Sequence, residues 1–274
     1  MKFKVSTFVG VVLLQSSFSL ATSQKDIEPY FKYHEANAFY HLTFIPQDGS
    51  LEKSTLHVLP MTLQYSLIPK LKFLADFSFI LRNYDKKQSS VMTVSNPSLG
   101  LLYEVLTGID RDFPTFVMLE AGAKFPIHGE TDVTFNRTDI RFSSKILKEV
   151  YYFTLGAEAG YVFKWDHTSK NHGNEFFSQL ELVFHSSMGL NLALDFKYRY
   201  VSDFKSKSQS LSSQSLFILS PIVSYELNAD WEAEAAVSIP LRDAEFDKIA
   251  TAFGDFEAPG TLSLTYSLGI KYKF

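Results

Sequence analysis

The chain has no cysteine. That excludes disulfides, thiol chemistry and cysteine-held metal clusters. Beyond the N-terminus it also lacks any run of about eighteen uncharged apolar residues, so it offers no membrane-crossing helix. Strong charge of either sign is missing as well. Lys and Arg number 26 against 30 Asp and Glu, a formal net charge of −4, too weak to recruit nucleic acid. No phosphate-binding glycine loop follows a strand and opens a helix, and no second domain or repeat longer than a hairpin is visible. What is plentiful is aromatic residues, 15% of the 274 with 26 Phe, beside 20% charged residues. That mixture suits a wall with lipid on one side and polar groups on the other.

The last stretch of the chain makes the point sharper. Leu262, Leu264, Tyr266, Leu268, Ile270, Tyr272 and Phe274 alternate with Ser263, Thr265, Ser267, Gly269, Lys271 and Lys273. This period of two predicts a strand over 261–274 with one apolar and one wet face. Strands cross a bilayer only when closed into a barrel, which leaves no backbone group unpaired in hydrocarbon. An amphipathic edge strand of a soluble sandwich would show the same pattern. The stretch also resembles the C-terminal assembly signal of bacterial outer-membrane barrels, which implies that Tyr272 and Phe274 are read by the outer-membrane assembly machinery.

The N-terminus reads as an export signal. Lys2 and Lys4 precede an apolar core, Phe8 to Leu14, and Ser19-Leu20-Ala21 offers small residues for cleavage. Residues 1–23 are assigned to this signal, cleaved after Ala21 or Ser23, 24–37 to a periplasmic lead-in and 38–274 to the barrel. An exported, cysteine-free chain of alternating strands points to a Gram-negative outer membrane.

Twelve strands are expected, over 38–45, 55–67, 71–83, 95–106, 115–126, 138–147, 150–165, 175–186, 190–203, 214–227, 230–241 and 261–274. The fold class is therefore all-β, an antiparallel up-and-down transmembrane barrel. The connections sort by parity. Even ones, such as Ile68-Pro69-Lys70 and Asn228-Ala229, are short, apart from Thr107 to Pro114; odd ones are longer and polar. A barrel requires that alternation of short periplasmic turns and long outer loops, and a sandwich does not. It places Asp48, Lys87, His128, His172, Ser208 and Asp255 outside, with both termini periplasmic. Pro60, Pro126, Pro221 and Pro240 fall in or at the ends of strands, where bulges are expected to absorb the missing donors.

Strand parity gives the inner face. The lumen residues are Lys72, Asp76, Arg82, Glu104, Glu120, Lys124, Asp139, Arg141, Lys145, Glu158, Lys164, Glu181, His185, Asp195, Lys197, Arg199, Glu226, Glu232, Glu234, Lys271 and Lys273. Charges of both signs are interspersed. They serve either a polar conduit or an ion-pair network that fills the lumen and fixes register. On adjacent strands, Glu232 and Glu234 should meet Lys271 and Lys273, with at least one Glu–Lys pair inside.

Other chemistry is sparse. His185 and Ser187 form an H-x-S pair that resembles outer-membrane phospholipases, but Met188-Gly189-Leu190 stands where Asn-Gly-Arg follows in that family. Parity also turns both residues into the lumen near the periplasmic turn, whereas a lipase needs them facing the outer leaflet, so no catalytic residue is assigned. Asp166, His167 and His172 share a loop, a weak metal arrangement of the kind surface loops often show; no metal or cofactor is assigned.

A broader similarity covers most of the mature chain. The pieces are Leu63-Gln64-Tyr65-Ser66-Leu67, Asn96-Pro97-Ser98-Leu99-Gly100-Leu101, Gly122-Ala123-Lys124-Phe125-Pro126, Pro221 to Leu227 and Val237-Ser238-Ile239-Pro240-Leu241. Their order resembles the outer-membrane transporter family named after the MetA pathway of phenol degradation. Ile127-His128-Gly129-Glu130 departs from that family's strand-end pattern, with one extra residue and no Thr. The resemblance implies uptake of small, often aromatic or apolar, solutes. The expectation is thus a channel or transporter whose partners are the bilayer, the assembly machinery and a small solute. A closed structural or adhesive barrel and a barrel-embedded hydrolase are the alternatives.

Overall fold

The computed structural model describes residues 34–45, 53–85, 89–106, 113–127, 136–166, 173–205, 210–241, 253 and 258–274. The signal segment 1–23, the first part of the lead-in, His167 and the loop positions Asp48, Lys87, His128, His172, Ser208 and Asp255 lie outside them.

Twelve strand positions close into one antiparallel barrel. They are β1 (Glu35–Ile45), β2 (Ser54–Ile68), β3 (Leu71–Tyr84), β4 in two segments (Ser89–Val94 and Ser98–Leu106), β5 (Thr115–Lys124) and β6 (Arg137–Val150). Then follow β7 (Phe153–Asp166), β8 (Glu175–His185), β9 (Leu190–Val201), β10 (Gln214–Glu226), β11 (Trp231–Leu241) and β12 (Thr265–Lys273). Each pairs with its neighbour in sequence, and β12 returns to β1, where Glu35 faces Lys273 and Thr43 faces Thr265. Backbone bonds between His34 and Phe274, 3.1 and 3.2 Å, finish the seam. One end of the barrel carries His34, Phe274 and the short turns, and the long connections leave from the other. They are called here the terminal end and the loop end.

Alternation along each strand sorts the side chains. On β9, Asn191, Ala193, Asp195, Lys197, Arg199 and Val201 are buried inside, while Leu190, Leu192, Phe196 and Tyr200 are exposed outside. The outer wall is a continuous apolar surface of Leu, Phe, Tyr and Val, as a lipid-facing wall requires. At the terminal end Trp231 lies 4.6 Å from Tyr272 (ring centroids) and Tyr272 lies 5.9 Å from Phe274. This is the aromatic belt that seats a barrel at a membrane interface.

Six expectations fail locally. Strand β12 begins at Thr265, not 261; residues 261–264 turn away from the ladder and pair with no strand. Leu262, expected toward lipid, is instead buried inside among Ile45, Leu56, Val58 and Ile80. The fourth strand is broken at Ser95-Asn96-Pro97, and Ser89–Val94 pairs only with β3. The β6–β7 turn is at Tyr151-Tyr152, with Tyr151 at φ 53°, rather than at Lys148-Glu149. Finally, none of Pro60, Pro126, Pro221 and Pro240 carries a bulge. The ladder loses bridges beside Pro60 and Pro221 but keeps its register, and Pro126 lies past the end of β5; the shifts among the described residues fall at Ser66/Ile68, at Glu104/Leu106 and, by one residue, across the break at Ser95-Asn96-Pro97. β1 also starts three residues into the expected lead-in, so Glu35 joins the barrel wall.

Candidate functional site

Every residue named for the lumen stands on the inner side of its strand. Lys72, Arg82, Glu104, Arg141, Lys145, Glu158, Lys164, Glu181, His185, Asp195, Lys197, Arg199, Glu232, Glu234 and Lys271 are buried; Asp76, Glu120, Lys124, Asp139, Glu226 and Lys273 are half-buried. Charges facing lipid near the midplane would cost roughly 2–4 kcal/mol per Lys or Arg, which is why the parity is strict.

The pairs follow the register. In the terminal half, Lys271 lies opposite Glu232, and its Nζ donates to Glu232 Oε1 at 3.1 Å and lies 3.7 Å from Glu234 Oε2. Lys72 reaches over β2 to Glu35 at 3.0 Å. Midway, Arg141 is fully buried and pairs with Glu158 at 2.5 Å and Glu120 at 3.5 Å. Lys145 lies 3.8 Å from Glu181. The attraction inside such a low-dielectric wall offsets a desolvation cost that would be prohibitive for either ion alone.

The inner wall also carries aromatic residues that charge patterning did not reveal. Phe39 lies over Gly269 on the neighbouring strand, so closely that a Cβ there would sit 1.8 Å from the ring. It shares a buried apolar cluster with Val183, Ala193, Ile222 and Ala236, which come from β8, β9, β10 and β11. Phe177 covers Gly160 in the same way, and the Arg141 guanidinium stands 4.7 Å from its ring centroid. Each Phe–Gly pair puts a large ring against a bare backbone, and a large inward residue opposite a Gly in register is the signal that could have found them.

The loop half holds a second assembly. Glu175 on β8 accepts from Arg199 on β9 at 2.5 and 3.0 Å and pairs with Lys164 on β7 at 3.1 Å. Arg137 pairs with Asp139 at 2.8 Å. Into this cluster comes Phe253, from the connection between β11 and β12. Its carbonyl oxygen accepts from Arg137 Nη2 at 3.1 Å and from Lys164 Nζ at 3.5 Å. Its ring, fully buried, lies 4.7 Å from the Arg199 guanidinium and packs on Val201, Leu216 and Ile218. Ala258 to Leu262 are buried too, and Arg199 Nη1 donates to Thr261 Oγ1 at 2.9 Å. Arg137 and Glu175 were not named from sequence; one sat at a strand boundary and the other at a strand start.

His185 and Ser187 do not come together as a catalytic pair. His185 is buried, 3.0 Å from both Thr154 Oγ1 and Asn191 Oδ1. Ser187 was expected inside the lumen, but it lies exposed in the β8–β9 turn, where the strand has ended. Among the described residues no group of three His, Asp or Glu side chains could hold a metal.

No protein-family model matches the chain, and no curated protein does. Solved structures do. An outer membrane channel from Pseudomonas putida F1 superposes with a TM-score of 0.70 over 92% of this chain and 100% of that one, at 11% identity. The NanC porin superposes with a TM-score of 0.51 over 88% and 100%, at 8% identity. The fold is thus that of bacterial outer-membrane barrels.

Proposed function

We propose that this protein is an outer-membrane channel for small solutes that rests closed and is closed mainly at its loop end. The observation that carries the reading is what fills the mouth. Phe253 and 258–262 belong to a connection rather than to the wall, and polar contacts to wall cations hold them there. An occluder of that kind can leave without breaking a strand pair. The likeness to an outer membrane channel supports the same reading. The apolar inner surfaces around Phe39 and Phe253 suit aromatic or apolar solutes, as the resemblance to the MetA-named transporter family implies. In this reading the terminal end is periplasmic, the lipid bilayer and a small solute are the working partners, and Tyr272 and Phe274 deliver the chain to the assembly machinery.

One observation favours the closed structural barrel instead: Lys72, Arg141 and Lys271 are at most 1% exposed. Swelling of liposomes that contain the full chain separates the two. A channel admits small neutral or aromatic solutes faster than empty liposomes do; no admission under any condition that frees the loop end would leave the structural barrel standing.

A further inference from the structure

We infer, resting on the channel reading, that Asn37, Gln64 and Asp76 form a binding site for a small neutral polyol on a polar track through the lumen. This adds a hydroxylated solute class to the aromatic or apolar one. Strand register draws the track. Lys271 on β12 lies opposite Asn37 on β1, Asn37 opposite Thr62 on β2, and Thr62 opposite Asp76 on β3. Asp76 in turn faces Ser98, and Lys124 and Asp139 carry the row on to Lys164 on β7. Strands in a barrel are tilted and staggered, so a row of opposite residues climbs the wall. This one starts near the terminal end, where Lys271 bonds Glu232, and finishes at the loop end beside Phe253. Every side chain in it is polar. The rows on either side are broken, by Leu74 and Val162 toward the terminal end and by Phe39 toward the loop end.

Asn37 and Gln64 place a site on this track. Both are buried, at 4% and 0% exposure, on the inner face of adjacent strands. Among the described residues, neither the amide nitrogen nor the amide oxygen of either has a hydrogen-bond partner. Buried polar side chains are normally bonded, and leaving one unpaired is costly. Gln64 is two residues along β2 from Thr62, which lies opposite Asn37. The two amides are therefore diagonal neighbours, roughly 7–8 Å apart at the backbone. Glu35 lies opposite Gln64, and Asp76 is its diagonal neighbour on the other side. Glu35 Oε1 accepts from Lys72 at 3.0 Å and Asp76 Oδ2 from Ser98 at 2.6 Å, while Glu35 Oε2 and Asp76 Oδ1 have no partner among the described residues. An occupant must accept from two amide nitrogens and donate to the oxygens beside them. An anion cannot donate and is repelled by both carboxylates. A bare cation cannot accept, and an apolar molecule does neither. A hydroxyl does both through one atom, and several hydroxyls on one small molecule match donors and acceptors set side by side.

The probe is erythritol, followed by saturation-transfer NMR on the full-length protein in detergent and by liposome swelling. Its carbon-bound protons should receive saturation from Phe253→Ala, in which the loop end is freed. Adding Asn37→Leu and Gln64→Leu should reduce that transfer at least fivefold and slow erythritol entry into liposomes at least tenfold. The same two Leu substitutions in the parent chain should raise its urea midpoint, because they remove buried polar atoms that have no partner. A lowered midpoint would mean that the resting fold or bound water already pairs the amides, and overturns the inference. This reading stands even if Phe253→Ala does not fold. Erythritol saturation that is absent from Phe253→Ala, or that survives both Leu substitutions, overturns it as well. Saturation transfer without swelling would defeat the channel reading alone; swelling that ignores both Leu substitutions would defeat this site alone.

Discussion

At the terminal end of the lumen, Lys271 bonds Glu232 on the adjacent strand and Lys72 bonds Glu35 on the far side of β2. At the loop end, Arg137, Lys164 and Arg199 make some of their contacts to Phe253 and Thr261, which no strand contains. The first arrangement is wall to wall, so it is fixed once the register is fixed. The second is wall to connection, so it can dissolve while every strand pair survives. Stability should therefore reside in the terminal half and occlusion in the loop half. The two can be altered separately.

The largest effect is expected on the closing seam. Deleting Phe274 removes one of the aromatic partners of Tyr272 and the two backbone bonds to His34. Heat-modifiable, folded protein in the outer membrane should fall by about an order of magnitude, whereas deletion of a lead-in residue should not lower it. Next comes Lys271→Met, which leaves Glu232 and Glu234 buried without their cation. Breaking a buried pair from one side costs about 3–5 kcal/mol, measurable as a lowered urea midpoint in lipid refolding. Combining it with Glu232→Gln and Glu234→Gln should recover most of the loss.

Gly269→Val tests the Phe39 seat at smaller scale. Its Cβ would meet the ring at 1.8 Å, and overpacking of this kind costs about 1–3 kcal/mol. Unchanged unfolding would mean that the ring does not lie over the seam in the folded protein. The smallest effect on stability belongs to Phe253→Ala. A buried Phe in a core costs about 3–5 kcal/mol on truncation. Here less than about 1 kcal/mol is expected, because the barrel does not depend on that connection. A core-sized loss would erase the distinction between the halves.

Legibility in the sequence follows the same division. Period-two alternation exposed all twelve strand positions and the inward side of the charged residues well inside them, though not of Glu35, Arg137 or Glu175 at their ends, because lipid on one side makes a slip of one residue prohibitive. The Glu232–Lys271 pair could be expected from that parity alone. Leu262 and Leu264 were misleading, since their alternation carries the strand pattern back into 261–264, a segment with no strand partner. Pro97 marks the break in β4, but only the pairing of Ser89–Val94 with β3 reveals that the strand resumes across it. Phe39 and Phe177 carry no local sign of facing inward beyond parity; their Gly partners become visible only in register. Phe253 is the extreme case. Nothing near it in sequence is periodic, and what places it is a cation cluster gathered from β6, β7 and β9.

The most direct test is planar-bilayer conductance of three proteins side by side: the parent, Phe253→Ala, and the terminal-half variant that combines Lys271→Met with Glu232→Gln and Glu234→Gln. Rare or small openings are expected for the parent, a clear rise in open probability or conductance for Phe253→Ala, and parent-like currents for the terminal-half variant. An open terminal-half variant beside a silent Phe253→Ala would contradict that expectation.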